Sequence, residues 1–210
     1  MDANDESWEI KNNDPGRAMW ENADFSGDDW KNDFEARHPE DNTDTTKLSA
    51  LARWLVSTDQ KQATGAALAE TYVDVDGNSH TIDNAAYRLA KFKTEVEEHF
   101  DKDALVFNYL FTELFLLTDS RAKNASPTIY DNTKWTILPY DMDTALGIDN
   151  LGKLSFGYEL EDIDKTGNNE NVFNGQDSVL YINTRQALYD DIKGMYQEFR
   201  SDGKLSYDDT

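Results

Sequence analysis

The chain has 210 residues, the size of one ordinary domain. Forty-two acids against twenty bases leave a formal net charge of −22, which repels phosphate and excludes nucleic acid as an expected partner. There is no cysteine for disulfides or thiol chemistry, no apolar run of about eighteen residues to span a membrane, and three scattered histidines do not form a histidine metal motif.

Aromatic residues make up 12% of the chain, with five Trp and ten Tyr, so a core is affordable despite the charge. One domain is expected, in three stretches: an irregular region over 1–43 pinned by single aromatic rings, a core over 44–150, and an acidic loop with a terminal helix over 151–210. The opening MDANDESWEI has neither the basic nor the apolar part of a secretory signal. Trp8 to Lys11 (WEIK) predicts a short strand. A polar tract rich in Asn, Asp and Gly follows, in which Trp20, Phe25, Trp30 and Phe34 are placed to pin a long loop. Thr45 or Thr46 caps a helix through about Ser57, with Leu48, Leu51, Ala52 and Leu55 on one face. Thr71 to Asp76 and His80 to Ile82 flank the turn signal Asp76-Gly77-Asn78 and predict a hairpin. The run from Asp74 to Asn78 opens like a calcium loop but lacks the sixth-position Gly and the terminal Glu, so it reads as the turn.

Asp83 caps a second helix through about His99. A third runs from Lys102 to Thr118, capped by Asp101 or Asp103. Leu105, Val106, Tyr109, Leu110, Leu114 and Leu117 repeat at helical spacing there, and Phe107, Phe111 and Phe115 fill much of the remainder. An all-round apolar helix predicts the buried centre of the domain. Thr128 to Asp131 and Trp135 to Tyr140 predict two strands joined by a link of hairpin length. A further strand is read at Lys153 to Tyr158, a loop at Glu159 to Asn174, and a last amphipathic helix at Asn183 to Arg200. The fold class is α+β, mainly helical, with a central hairpin.

Chemistry concentrates in DSRAKNASPTIYDNTKWTILPYDMDTALG, Asp119 to Gly147. Asp119 follows the third helix, Asn124 stands five residues on, a hairpin comes next, and Asp141 and Asp143 lie at its far end. That is the order of a protein-kinase catalytic segment. Phosphoryl transfer needs a carboxylate at the acceptor hydroxyl and hard oxygen ligands for Mg²⁺ on the nucleotide phosphates. A short loop allows Asp119 to face the acceptor while Asn124 turns toward the metal, and the hairpin returns Asp141 beside Asn124. Arg121 and Lys123 are two bases in an acidic chain, suited to neutralising a transferring phosphoryl group. The same residues also admit plainer roles: Asp119 as a helix end, Asn124 as a turn residue, YDMD as a turn without metal. Asp141 and Asp143 admit a third reading, the paired acids of a carboxylate hydrolase.

The stretch from about Leu105 to Gly147 resembles the CotH kinase family, atypical kinases first associated with spore coats. Asp119, Lys123 and Asn124, then Trp135, then Pro139-Tyr140-Asp141-Met142-Asp143, then Leu146-Gly147 carry the likeness, and Glu9 and Lys11 resemble an upstream E-x-K strand. Tyr140 stands where the family usually has Trp. The resemblance implies a protein-kinase-like C-terminal lobe that uses ATP and Mg²⁺ to phosphorylate Ser or Thr of a protein acceptor. It implies Asp119, Arg121 and Lys123 in catalysis, Lys11, Asn124 and Asp141 in nucleotide binding, and Asn124, Asp141 and Asp143 as metal ligands. No Gly-rich phosphate loop is visible, and only seven residues precede Trp8. Two readings therefore stay open: a part of a longer kinase-like protein, or a relative that no longer binds ATP. The second implies a catalytically inactive structural module of a spore coat or phage virion, with assembly partners in a larger particle in place of a substrate.

Overall fold

The computed structural model describes residues 1–2, 4–11, 29–56, 71–73, 79–81, 84–117, 120–121, 123–148, 152, 178–201 and 203. Strands β1 (Glu6–Ile10), β2 (Phe34–His38), β5 (Ala125–Ile129) and β6 (Trp135–Pro139) form an antiparallel sheet in the order β2-β1-β5-β6. Strands β3 (Thr71–Val73) and β4 (Ser79–Thr81) pair separately as the expected hairpin. The helices are α1 (Thr46–Val56), α2 (Asn84–His99), α3 (Lys102–Leu114), α4 (Val179–Ala187) and α5 (Tyr189–Ser201). The arrangement is α+β.

Alternation along each strand assigns the faces of the sheet. Trp8 and Ile10 of β1, Phe34 and Ala36 of β2, Ala125 and Ile129 of β5, and Trp135 and Ile137 of β6 belong to the core. Ser7, beside the core residue Trp8, bonds its hydroxyl to that of Thr128 across the β1–β5 pair at 2.9 Å. Strand β2 lies within the stretch expected to be irregular. It has only two apolar residues at alternate positions, too short a signal to see, and it gains stability from its partner β1. Trp30 does pin this region: it is buried and meets Phe34 edge-on at 6.1 Å. Trp20, Phe25, the turn at 76–78, and the stretches read as strand and loop over 153–174 lie outside the described residues.

Asp44 starts α1, since its carboxylate accepts from the Thr46 amide at 3.0 Å and from the Thr46 hydroxyl at 2.6 Å. These bonds hold the Asp44 carboxyl below its ordinary value. The helix buries Leu48, Leu51, Ala52 and Leu55 as expected, and Trp54 and Val56 as well. Trp54 stacks on Phe92 of α2 at 5.6 Å and on His99 at 3.9 Å, and its indole donates to Glu95 at 2.7 Å. Asp101 caps α3 by accepting from the Ala104 amide at 3.1 Å.

Helix α3 differs from its prediction in two ways. It ends at Leu114, because Leu116 turns left-handed with φ of 45°. One of its two apolar faces is also uncovered. Leu105, Val106, Tyr109 and Leu110 are buried, but Phe107, Phe111 and Phe115 form a ladder, stacked at its first step and tilted at its second, in which Phe107 and Phe115 are 47% and 43% exposed. Phe199 of α5 packs on the first rung at 6.2 Å. The single terminal helix expected over Asn183 to Arg200 is two helices that part at the buried Leu188.

The His99–Trp54 stack makes stability depend on pH. Burial pushes the His99 pKa below its ordinary value, Lys91 adds to that, and Glu95 and Glu98 oppose it. The folded form resists protonation more than the unfolded chain does, so stability rises with pH across this window. His99's share is complete above about 6.5, the free histidine value, and is lost as pH falls below it. Urea midpoints measured between pH 7.5 and 5 should fall more steeply for the unaltered chain than for His99→Gln. Parallel curves would show that the stack does not favour the neutral ring.

Candidate functional site

Antiparallel pairing brings one end of the sheet together. Ile10 closes β1 opposite Phe34 at the start of β2, and Ala125 opens β5 opposite Pro139 at the end of β6. The Asn124 amide donates to the Ile10 carbonyl at 3.2 Å, and the Tyr140 amide donates to the Asn124 carbonyl at 2.8 Å. Lys11, Asn124 and Asp141 each stand one residue beyond these tied positions, or at one of them, so three strands deliver them to the same end. Asn124 and Asp141 both take left-handed backbone, with φ of 54° and 47°. Asn and Asp are the non-glycine residues that tolerate it best, which suits them to a chain that reverses sharply at a strand end.

Asn124 is buried, whereas Asp141 and Asp143 are exposed. Lys11 is exposed and its ammonium pairs with the Glu35 carboxylate. Lys11 is the main reason that the Glu35 carboxyl lies below its ordinary value, with Arg37 contributing. Lys123 is half-buried on the loop before Asn124. Asp119 lies outside the described residues, as does 122, while 120, 121, 123 and 124 of the same loop are described.

Two features of this end escape a sequence reading. Arg37 of β2 donates to the buried Glu9 carboxylate through Nε at 2.5 Å and also through its second nitrogen, and lies over the Tyr140 ring at 5.2 Å. This ties β1 and β2 to the residue that precedes Asp141. Its only sequence signal is the alternation of Glu35 and Arg37 with Phe34 and Ala36.

The second feature moves Arg121. The sequence reading put its charge at a transferring phosphoryl group; the structure places it in the interior. Its side chain is fully buried, pairs with Glu113 at 2.5 Å, and donates from Nε to the Thr112 hydroxyl at 3.1 Å. The guanidinium lies over the rings of Tyr109 and Tyr181, at 4.7 and 5.5 Å. The reason is electrostatic. A buried cation needs a counter-charge and acceptors, and α3 supplies both in its last turn.

Among the described residues, no group of three or more His, Asp or Glu side chains is placed to hold a metal ion. Two acids and an amide at the sheet end nonetheless suit one class of ion. Mg²⁺ takes hard oxygens, commonly one or two carboxylates with phosphate oxygens and water completing the shell. Asn124, Asp141 and Asp143 are donors of that type. Thiolate and imidazole donors, which softer metals prefer, are absent from the sheet end among the described residues.

The model of one protein family, described as CotH kinase protein, matches residues 78–186, over half of the chain. The match spans β4 to α4 and includes Asp119, Asn124, Asp141 and Asp143; Glu9, Lys11 and Arg37 precede it. No curated protein and no solved structure matches.

Proposed function

The chain belongs to the CotH kinase family, and from that premise we propose that it transfers the γ-phosphoryl group of Mg-ATP to a Ser or Thr hydroxyl of a protein acceptor. The observation that carries the reading is that Lys11, Asn124 and Asp141 stand at the same end of the sheet. Asn124 and Asp141 would hold the magnesium ion, with Asp143 as a further oxygen ligand. The chemistry the ion would supply there is neutralisation of phosphate charge. Lys11 exchanges Glu35 for the α- and β-phosphates, a modest change because an exposed ion pair is worth little. Lys123 faces the charge of the transferring group. Asp119 receives the acceptor proton as the hydroxyl oxygen bonds to the γ-phosphorus, the bond to the β–γ bridging oxygen breaks, and ADP departs.

Formation of ADP by the full chain, followed with and without Mg²⁺ and with a Ser/Thr-rich protein present, tests this. Turnover should require the metal and fall to background in Asp119→Ala. Full turnover in that variant would remove Asp119 from the mechanism, and calorimetry showing no binding of Mg-ATP would remove the enzyme reading. The Lys11–Glu35 pair, formed without any nucleotide, also fits a second reading, in which the fold serves as a structural module of a spore coat or phage particle. Assembly into a larger particle without nucleotide binding would favour it.

A further inference from the structure

We infer that Arg121 is a positioning residue: it clamps the turn that leads into Asn124 between α3 and α4, and so keeps the Asn124 amide in place beside Asp141. The inference rests on the phosphotransfer reading for its functional half and on packing alone for its structural half.

Arg121 is the largest of the fully buried side chains among the described residues. Its contacts run in two directions. Toward α3 it bonds Thr112 and Glu113, and Glu113 also accepts from the Tyr109 hydroxyl at 2.9 Å. Burial, reinforced by Glu113, raises the Tyr109 pKa, so that hydroxyl remains a donor. Toward α4 the guanidinium meets the Tyr181 ring. The Tyr181 hydroxyl lies 2.7 Å from Asn108 Oδ1, to which it donates, and 3.4 Å from the Ser120 carbonyl. The turn is thus gripped through the Arg121 side chain, with the Tyr181 hydroxyl close to the preceding carbonyl. Three residues later the Asn124 amide is tied to β1. The loop is fixed at both ends, with the proposed metal ligand at the second.

Stability alone is a weak reason for such an arrangement. Apolar side chains of similar volume often replace a buried ion pair without loss. A planar guanidinium differs from them in direction: its fixed fork of donors specifies one orientation of the turn. A methionine in its place fills the volume and specifies none.

The test uses the full chain with Arg121→Met and Glu113→Ala. Two quantities are followed: amide hydrogen exchange, and the Mg²⁺ concentration giving half-maximal ADP formation. Both variants should unfold cooperatively. The Asn124 amide should exchange about tenfold faster or more, while amides of α1 and α2 keep their protection. Half-saturating Mg²⁺ should rise about tenfold or more, with excess Mg²⁺ restoring most of the rate, as for loss of a group supporting a metal ligand. Unaltered exchange at Asn124 overturns the clamp. Faster exchange with an unaltered Mg²⁺ requirement overturns the positioning role and leaves Arg121 as packing. If Arg121→Met does not fold, Glu113→Ala decides, because it removes the carboxylate that the guanidinium pairs with, at a half-buried position of the helix. A chain that forms no ADP even when unaltered defeats the phosphotransfer reading, and exchange at Asn124 still decides the clamp.

Discussion

Asn124→Gly and Asp141→Asn should each lower Mg-ATP turnover by on the order of 10²–10³-fold, the usual effect of deleting one preorganised group that stabilises developing charge. The replacements follow from the backbone. Both positions are left-handed. Alanine at either would add a conformational penalty to the lost ligand, about 1–2 kcal/mol. Glycine at 124 removes the amide and relaxes the backbone; asparagine at 141 keeps shape and removes charge. Asp141 is exposed, so its replacement should move the unfolding midpoint little. A rate within about threefold of the unaltered chain in both variants would separate these residues from the chemistry, since a lost electrostatic stabiliser is expected to cost far more.

Phe100→Ala should cost about 3–5 kcal/mol of stability, the range for emptying a well-packed aromatic site. Phe100 is fully buried between the helices and the sheet. Its ring lies 6.2 Å from Trp54, its backbone bridges to Trp135, and the next amide, of Asp101, donates to the Trp135 carbonyl at 2.9 Å. One residue therefore joins α1 and α2 to the strand that carries the chain toward Asp141. Urea unfolding measures the loss. A change under about 1 kcal/mol would mean that the site collapses around the missing ring or was loosely filled.

The local signals in the sequence translate directly. The apolar stripe of α1, the Asp101 cap and the hairpin before Asp141 are decided by neighbours a few residues apart, and each is found where periodicity or turn chemistry places it. The hairpin starts three residues earlier than read, because Ala125 to Pro127 pair with β6 despite the proline. What sequence order hides is the choice between competing partners. Helix α3 carries two apolar faces, and its composition does not say which one α4 and the sheet will cover. The Phe ladder lost that competition. Arg121 was misplaced for a similar reason. Its nearness to Asp119 suggested phosphate, but its partners are Glu113 eight residues before it and Tyr181 sixty residues after. Strand β2 was hidden because the pairing with β1 that stabilises it crosses a long polar tract. At the sheet end, the order Asn124, hairpin, Asp141 was legible, but the left-handed turns and the tie to Ile10 were not.

Binding of Mn²⁺ in the presence of ADP, followed by electron paramagnetic resonance, asks most directly whether residues 124 and 141 grip a single ion together with a nucleotide. The unaltered chain should bind Mn²⁺ more tightly with ADP than either component supports alone, and Asn124→Gly and Asp141→Asn should each weaken that binding about tenfold or more. Equal Mn²⁺ affinity in the unaltered chain and both variants would contradict it.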